Sequence, residues 1–474
     1  MVVGEVAVET DVLIMGGGPG GYAAAIRLGQ LGKTVVLVEK DRLGGVCLNR
    51  GCIPSKALIH TADQFRKLSD LGRMGIKLPQ ESIKLDLNVW QDWKGGVISR
   101  LTQGIAHLCK ENGVTVVQGQ ATFLSDDRIG VETDGDFETY KFEHAIIATG
   151  SRPFIPPYIK VDGRYILDST ASLKLQEIPA SLSIIGGGYI GIELGMAFAK
   201  LGTNVTIIEM ANRILPQVSE NLVKEVIRNT KKLGMNLITS AKVEKASVVD
   251  GQVHLHIQSK KLGSQVIVSE KSLVTIGRIP NTEEIGLNRA EVVAGEKGHI
   301  TVDVECRTNV PHIFAIGDIT PGPALAHRAA KQGVVAAEVI CGMPSANDSG
   351  YVPYVIFSEP QIAGVGITRE EAERRGYSVK TGQFPFSANG RALATNEPNG
   401  FAEVIVDERS HILLGLHMVG PDASNLIGEG VLALELAARV EDIALSIHPH
   451  PTLSEVWMEA AEAALGHAIH IVNN

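Results

Sequence analysis

Cys47 and Cys52 stand with four residues between them in the run Gly44-Gly45-Val46-Cys47-Leu48-Asn49-Arg50-Gly51-Cys52-Ile53-Pro54-Ser55-Lys56. The spacing fits one helical turn, close enough for the two sulfurs to bridge reversibly. Pro54 suits the first turn of a helix, which places Cys52 at a helix amino terminus. There the helix dipole stabilises a thiolate and lowers its pKa. A structural disulfide closing so short a loop is disfavoured in a reducing compartment, and a nucleotide-binding signature beside the pair argues against two idle buried thiols. The pair reads as a redox couple. The other cysteines, Cys109, Cys306 and Cys341, show no metal-ligand spacing and are expected as core or surface thiols, so no metal site is expected.

The elements that must position this pair are written twice. Val12-Leu13-Ile14-Met15 reads as a strand entering Gly16-Gly17-Gly18-Pro19-Gly20-Gly21, followed by an Ala-rich helix to Leu31-Gly32 and a second strand ending at Glu39. Leu182-Ser183-Ile184-Ile185 enters Gly186-Gly187-Gly188-Tyr189-Ile190-Gly191, a helix runs to Leu201-Gly202, and the next strand ends at Glu209. Gly16 and Gly186, Gly18 and Gly188, Gly21 and Gly191, and Glu39 and Glu209 are each 170 positions apart. One Gly-x-Gly-x-x-Gly is a weak signal. Two in one register, each closing on an acid 23 residues after its first glycine, form a dinucleotide-binding fingerprint. The missing side chains let backbone N–H groups approach a pyrophosphate at a helix amino terminus. Glu39 and Glu209 should each accept from a ribose hydroxyl. A carboxylate there repels a 2′-phosphate, so the second site is expected to take NAD rather than NADP.

Composition bounds the rest. Gly is 51 of 474 residues and aromatics are 5%, against a typical glycine share of about 7%, which points to aliphatic α/β cores with tight turns. Forty-four Lys and Arg against 53 Asp and Glu give a net charge of -9; without a basic face, nucleic-acid binding is disfavoured. The amino terminus has no leader pattern and no apolar run is long enough to span a bilayer, so a cytoplasmic protein is expected. The length suggests about three domains. Residues 1–155 form a first nucleotide unit, ending in the strand Ala145–Gly150 and a Pro-rich break. Residues 156–280 form a second. Residues 281–350 return to the first through a strand that ends at Asp318. Residues 351–474, alternating strands and then Ala- and Leu-rich helices, form a third kind of domain.

The segment Gly44–Lys56, both Gly-rich turns, the strand ending at Asp318 and the run His448-Pro449-His450-Pro451-Thr452-Leu453-Ser454-Glu455 resemble the class I pyridine nucleotide–disulfide oxidoreductases over essentially the whole chain. The dihydrolipoamide-oxidising branch is the most similar. The resemblance implies an α/β fold of two Rossmann-like domains, holding FAD and NAD, with a carboxy-terminal α+β dimerisation domain. It implies an enzyme that oxidises protein-bound dihydrolipoamide through Cys47–Cys52 and FAD and reduces NAD, within 2-oxo acid dehydrogenase or glycine cleavage complexes. Its partners would be a second copy of itself and a lipoyl-bearing acyltransferase or carrier protein.

The same resemblance assigns residues. FAD would be met by Gly16, Gly18, Gly20, Gly21, Glu39, Lys40, Gly45, Val46, Cys47, Lys56, Ala121, Thr149, Gly150, Ser151 and Asp318, with Leu325, Ala326 and His327 offering backbone N–H groups to the flavin's pyrimidine end. Lys56 would pair with Glu193. NAD would be met by Gly186, Gly188, Tyr189, Ile190, Gly191, Glu193, Glu209, Val243 and Gly277. Tyr189 matches a position that covers the nicotinamide pocket in some relatives, and a packing role suits it equally. The catalytic set would be Cys47, Cys52, His450 as acid/base and Glu455 orienting it, with His450 serving the partner subunit's site; His448 is expected to be structural. Three alternatives are weaker. An NADP-dependent glutathione reductase would show basic residues where Glu209 stands. A mercuric reductase needs a cysteine pair near the carboxy terminus, and the last cysteine is Cys341. A non-catalytic flavoprotein sensor has no need of Cys47, Cys52, His450 and Glu455 together.

Overall fold

The computed structural model describes residues 7–77, 83–348 and 350–473. Val12–Met15, Val35–Val38 and Ala145–Ile147 are buried on both faces, as suits parallel strands covered by helices. They form a sheet in the order Val114–Gln118, Val35–Glu39, Val8–Met15, Phe137–Ile147, Arg128–Glu132, Gln120–Phe123. The first four strands are parallel and the last two antiparallel. The long strand Phe137–Ile147 shares one edge between two neighbours. Its first half pairs with Arg128–Glu132, and its last three residues pair in parallel with Ile313–Ala315. The sheet is thus completed by chain that comes more than a hundred residues after its other strands.

A second parallel sheet runs in the order Asn236–Ile238, Asn204–Ile208, Ser181–Ile185, Lys271–Val274, Ile166–Leu167. One face packs on the antiparallel meander Ala241–Val249, Gln252–Ser259 and Gly263–Ser269. The other carries the helix Tyr189–Lys200, whose side chains are buried almost all round. A third unit is a five-stranded antiparallel sheet built from Tyr354–Ile356, Gln361–Gly366, Leu413–Gly420, Phe401–Asp407 and Val379–Pro385 in spatial order. The helices Ala423–Glu435 and Glu455–Leu465 pack against it around Phe384, Leu416, Met418 and Trp457. The architecture is α/β, two Rossmann-like units and one α+β unit. No helix among the described residues is long and apolar enough to cross a membrane.

The three units meet along the helix Cys52–Asp70. It lies against the helix Tyr189–Lys200, and the two exchange opposite charges at matching intervals. Lys56 pairs with Glu193, and Asp63 with Lys200. Each partner is seven residues beyond the last, about two helical turns. The third unit joins both knots: Glu193 accepts from Phe357 N, and Lys200 also pairs with Glu359. The Lys200 side chain is only 3% exposed, so its charge depends on these two carboxylates. Replacing Lys200 with Met should lower unfolding stability by about 1–3 kcal/mol, because two half-buried carboxylates lose their counter-ion. A urea midpoint equal to that of the unaltered protein would refute this role for the ion pairs.

Candidate active site

The two Gly-rich turns fold alike. Gly16 and Gly186 adopt φ of +108° and +106°, values that L side chains rarely take. A Cβ on Gly21 would lie 1.8 Å from the Gly16 carbonyl oxygen, and one on Gly191 would lie 2.2 Å from that of Gly186. Only glycine lets each helix begin so close to its strand. The two acids fold back onto these turns. Glu39 accepts from Gly17 N at 2.7 Å and Asp41 N at 2.8 Å, while Glu209 accepts from Gly187 N and Ala211 N, both at 2.6 Å. The carboxylates are therefore fixed by backbone before any ligand arrives, and their remaining lone pairs are available to a sugar hydroxyl. Burial raises the pKa of Glu39 against the pull of Gly17 N–H.

A cleft of about 610 Å³ opens at the first turn. Its walls bring together Gly16, Gly18, Gly20, Glu39, Lys40, Gly45, Val46, Cys47, Cys52, Lys56, Ala121, Thr149, Gly150, Ser151, Tyr189, Ile190, Glu193, Asp318 and Ala326. Asp318 accepts from Ser151 Oγ, which in turn accepts from Arg278 Nε at 2.7 Å. Arg278 escaped sequence reasoning although it directly follows Gly277; only the pairing of Arg278–Pro280 with Ser151–Pro153 reveals it. Gly21, Leu325, His327, Gly186, Gly188, Gly191, Glu209, Val243 and Gly277 do not line this cleft.

Two of the expected cofactor contacts have partners within the protein. Val243 packs its side chain into the core between the meander and the second sheet, 4% exposed, because the alternation of its strand turns it inward. Leu325 N–H is already donated to Pro323 O at 3.0 Å. Of the three backbone donors expected there, only those of Ala326 and His327 belong to the first turn of the helix Ala326–Ile340.

The cysteine pair brings a correction. Cys47 and Cys52 do not share a helical turn: Cys47 lies in the short helix Gly45–Arg50, and Cys52 opens the next helix after a break at Gly51. On one continuous helix, residues five apart would point about 140° away from each other. The break at Gly51 turns the sulfurs together instead. A hydrogen bond runs from the Cys47 thiol to the Cys52 sulfur. That hydrogen bond lowers the Cys52 pKa to about 7, with further help from Lys56 and from the amide of Cys52 itself at the helix terminus. The same bond, in which Cys47 is the donor, drives the Cys47 pKa up. Lys56 Nζ lies 2.8 Å from Glu193 Oε2 and 4.5 Å from the centroid of the Phe357 ring. Phe357, which comes from the third unit, carries no sequence signal of such a placement.

His450 and Glu455 lie away from this cleft. His450 Nδ1 is 2.9 Å from Glu455 Oε1, and Glu455 Oε2 accepts from Thr452 N at 2.9 Å. Donation from Nδ1 leaves Nε2 with the free lone pair. The His450 side chain is 77% exposed, whereas that of His448 is 7% exposed and paired with Glu429 at 2.8 Å. The bond to Glu429 raises the His448 pKa above 6.5. Its stabilisation is therefore full below the unfolded pKa and fades as pH rises through the folded one. Glu429→Gln should cost more unfolding stability at pH 6 than at pH 9 in paired urea titrations; equal losses at both would contradict the assignment.

Comparison with known proteins agrees with this geometry. A family model, pyridine nucleotide-disulphide oxidoreductase, matches residues 10–333, and the corresponding dimerisation domain matches residues 352–461. The dihydrolipoyl dehydrogenase of Geobacillus stearothermophilus is 47% identical over 472 residues, covering 100% of both chains. That of Halobacterium salinarum is 44% identical over 476 residues with the same coverage. Among solved structures, LpdA from Mycobacterium tuberculosis superposes with a TM-score of 0.90 at 26% identity, covering 96% of this chain and 99% of that one. The HOCl-induced flavoprotein disulfide reductase RclA from Escherichia coli gives 0.85 at 27% identity, over 95% and 99%. With both nucleotide turns, the cysteine pair and the full-length matches in agreement, the chain belongs to the pyridine nucleotide-disulphide oxidoreductase family.

Proposed function

We propose that this chain is a dihydrolipoamide dehydrogenase, which oxidises protein-bound dihydrolipoamide and reduces NAD. The observation that carries the reading is the placing of Cys47 and Cys52 in one cleft with the first Gly-rich turn, beside the Lys56–Glu193 pair.

The residues divide the work. His450, held through Nδ1 by Glu455, takes a proton at Nε2 from one substrate thiol. The resulting thiolate attacks Cys47, the Cys47–Cys52 bond breaks, and Cys52 leaves as a thiolate. The second substrate thiol then attacks the substrate sulfur bound to Cys47, releasing the substrate disulfide and the Cys47 thiolate, which takes up a proton. Lys56 holds positive charge beside Cys52 at this stage. The Gly-rich turns, with backbone where side chains would stand, fit two dinucleotides. FAD, when bound, supplies the two-electron relay between Cys52 and NAD. Gly16, Gly18, Gly20, Glu39, Lys40, Thr149, Ser151 and Asp318 would hold it, with Ala121 at the adenine and Ala326 and His327 N–H at the flavin. Gly186, Gly188, Ile190, Gly191, Glu209 and Gly277 would hold NAD, with Tyr189 at the nicotinamide.

In this reading residues 1–155 and 281–350 hold FAD, 156–280 hold NAD, and 351–474 join two copies. The exposure of the His450 imidazole supports service to the partner's cleft. So do Leu445 and Ile447, 82% and 97% exposed beside it, since apolar groups so exposed mark a face for another protein surface. The lipoyl group would come from an acyltransferase or carrier of a 2-oxo acid dehydrogenase or glycine cleavage complex, in the cytoplasm.

Cys52→Ser should keep FAD and lose dihydrolipoamide turnover; full turnover by this variant would overturn the mechanism. His450→Gln should slow reduction by dihydrolipoamide far more than reduction by NADH in stopped-flow absorbance, and equal slowing would remove His450 from the thiol step. Gly191→Ala should retain the yellow flavin while weakening NADH binding by tenfold or more, because its methyl group meets the Gly186 oxygen. Unchanged NADH affinity would displace NAD from the second turn.

A further inference from the structure

The carboxy-terminal unit meets the redox-helix charges Lys56 and Glu193 through the short segment Phe357–Glu359. Phe357 meets the Lys56–Glu193 pair from two sides. Its N–H donates to Glu193 Oε1 at 2.9 Å, while Glu193 Oε2 takes Lys56 Nζ at 2.8 Å. Its ring faces the same amine at 4.5 Å. Lys56 thus sits between a carboxylate of the second unit and an aromatic face of the third. Glu193 is 3% exposed, so water does little to dilute either contact. The segment is anchored two residues on. The Glu359 carboxylate pairs with Lys200 at 2.5 Å, its N–H meets Met196 Sδ at 3.2 Å, and its carbonyl accepts from Asn229 Nδ2 at 2.8 Å.

We propose that Phe357 is a positioning residue: anchored by Glu359, it seats the Lys56 amine against the redox thiol. The proposal rests on the reading of Cys47 and Cys52 as the redox pair. The titratable groups facing Cys52 are Cys47, Lys56, Glu193 and Tyr189, with Tyr22 beside both thiols. Lys56 favours the Cys52 thiolate and Glu193 opposes it. The balance therefore depends on where the amine is held, and the ring is what keeps it from swinging toward solvent on its long stem.

The test uses the FAD-loaded full chain in a Cys47→Ser background, so that Cys52 is the only thiol of the pair. The rate of Cys52 alkylation by iodoacetamide is followed against pH by mass spectrometry of its peptide. Phe357→Leu should raise the apparent Cys52 pKa by about half a unit to one unit, and Phe357→Trp, which keeps an aromatic face, should restore it. Lys56→Met is the reference and should raise it at least as far. An unchanged pKa in Phe357→Leu beside a raised one in Lys56→Met overturns the proposal and leaves the redox reading standing. An unchanged pKa in both removes Lys56 from the thiolate and overturns the proposal together with that part of the reading. If Phe357→Leu does not fold, Glu359→Gln carries the test: an upward shift supports the proposal, and none overturns it.

Discussion

Glu193 is a buried carboxylate whose two oxygens are claimed by two other parts of the chain. Leaving either oxygen unsatisfied costs more than most single contacts contribute, and its partners, Lys56 Nζ and Phe357 N, belong to different units. None of the three units can move relative to the others without exposing this charge. Apolar packing at the same junction, which includes Leu58, Ile192 and Ile356, supplies adhesion but tolerates sliding. The hydrogen bonds specify a register. Lys200, two turns along, repeats the device with the charges reversed, so the two helices are indexed at two points and cannot rotate about one.

Because the orientation is specified, one cleft can carry groups from separate folding units. Cys47, Cys52 and Lys56 come with the first unit, Tyr189 and Glu193 with the second, and Asp318 from the returning strand. The two nucleotide turns solve the same problem identically, down to an acid gripping the second glycine's N–H. What differs is the chain that follows the strand before each acid. In the first unit it includes the helices Gly45–Arg50, Cys52–Asp70 and Leu87–Glu111; in the second it is the single helix Glu220–Lys232.

The turns, the acids and the α/β class were legible because each rests on a local requirement: positive φ, close backbone approach, a fixed spacing. The cysteine pair was legible as chemistry and misread as geometry. Nothing in residue types distinguishes one helical turn from two helices broken at Gly51, where an added Cβ would lie 3.0 Å from Val46 O. Val243 illustrates a second limit, since a strand's inward face is set by the sheet it joins. Phe357 and Arg278 illustrate a third. Their roles arise from units that meet only in three dimensions, and their neighbours in the chain carry no trace of it.

The long strand Phe137–Ile147 bears on the order in which the chain can mature. The second sheet draws all its strands from residues 166 to 274, whereas the first waits for Ile313–Ala315 to cover its last edge. As the polypeptide emerges during synthesis, the later unit can close while the earlier one still presents an unpaired edge at Ala145–Ile147. Completion of the first sheet also carries Asp318 to the cleft. The strand that covers this edge thus also delivers Asp318, so the cleft is complete only once the edge is sealed.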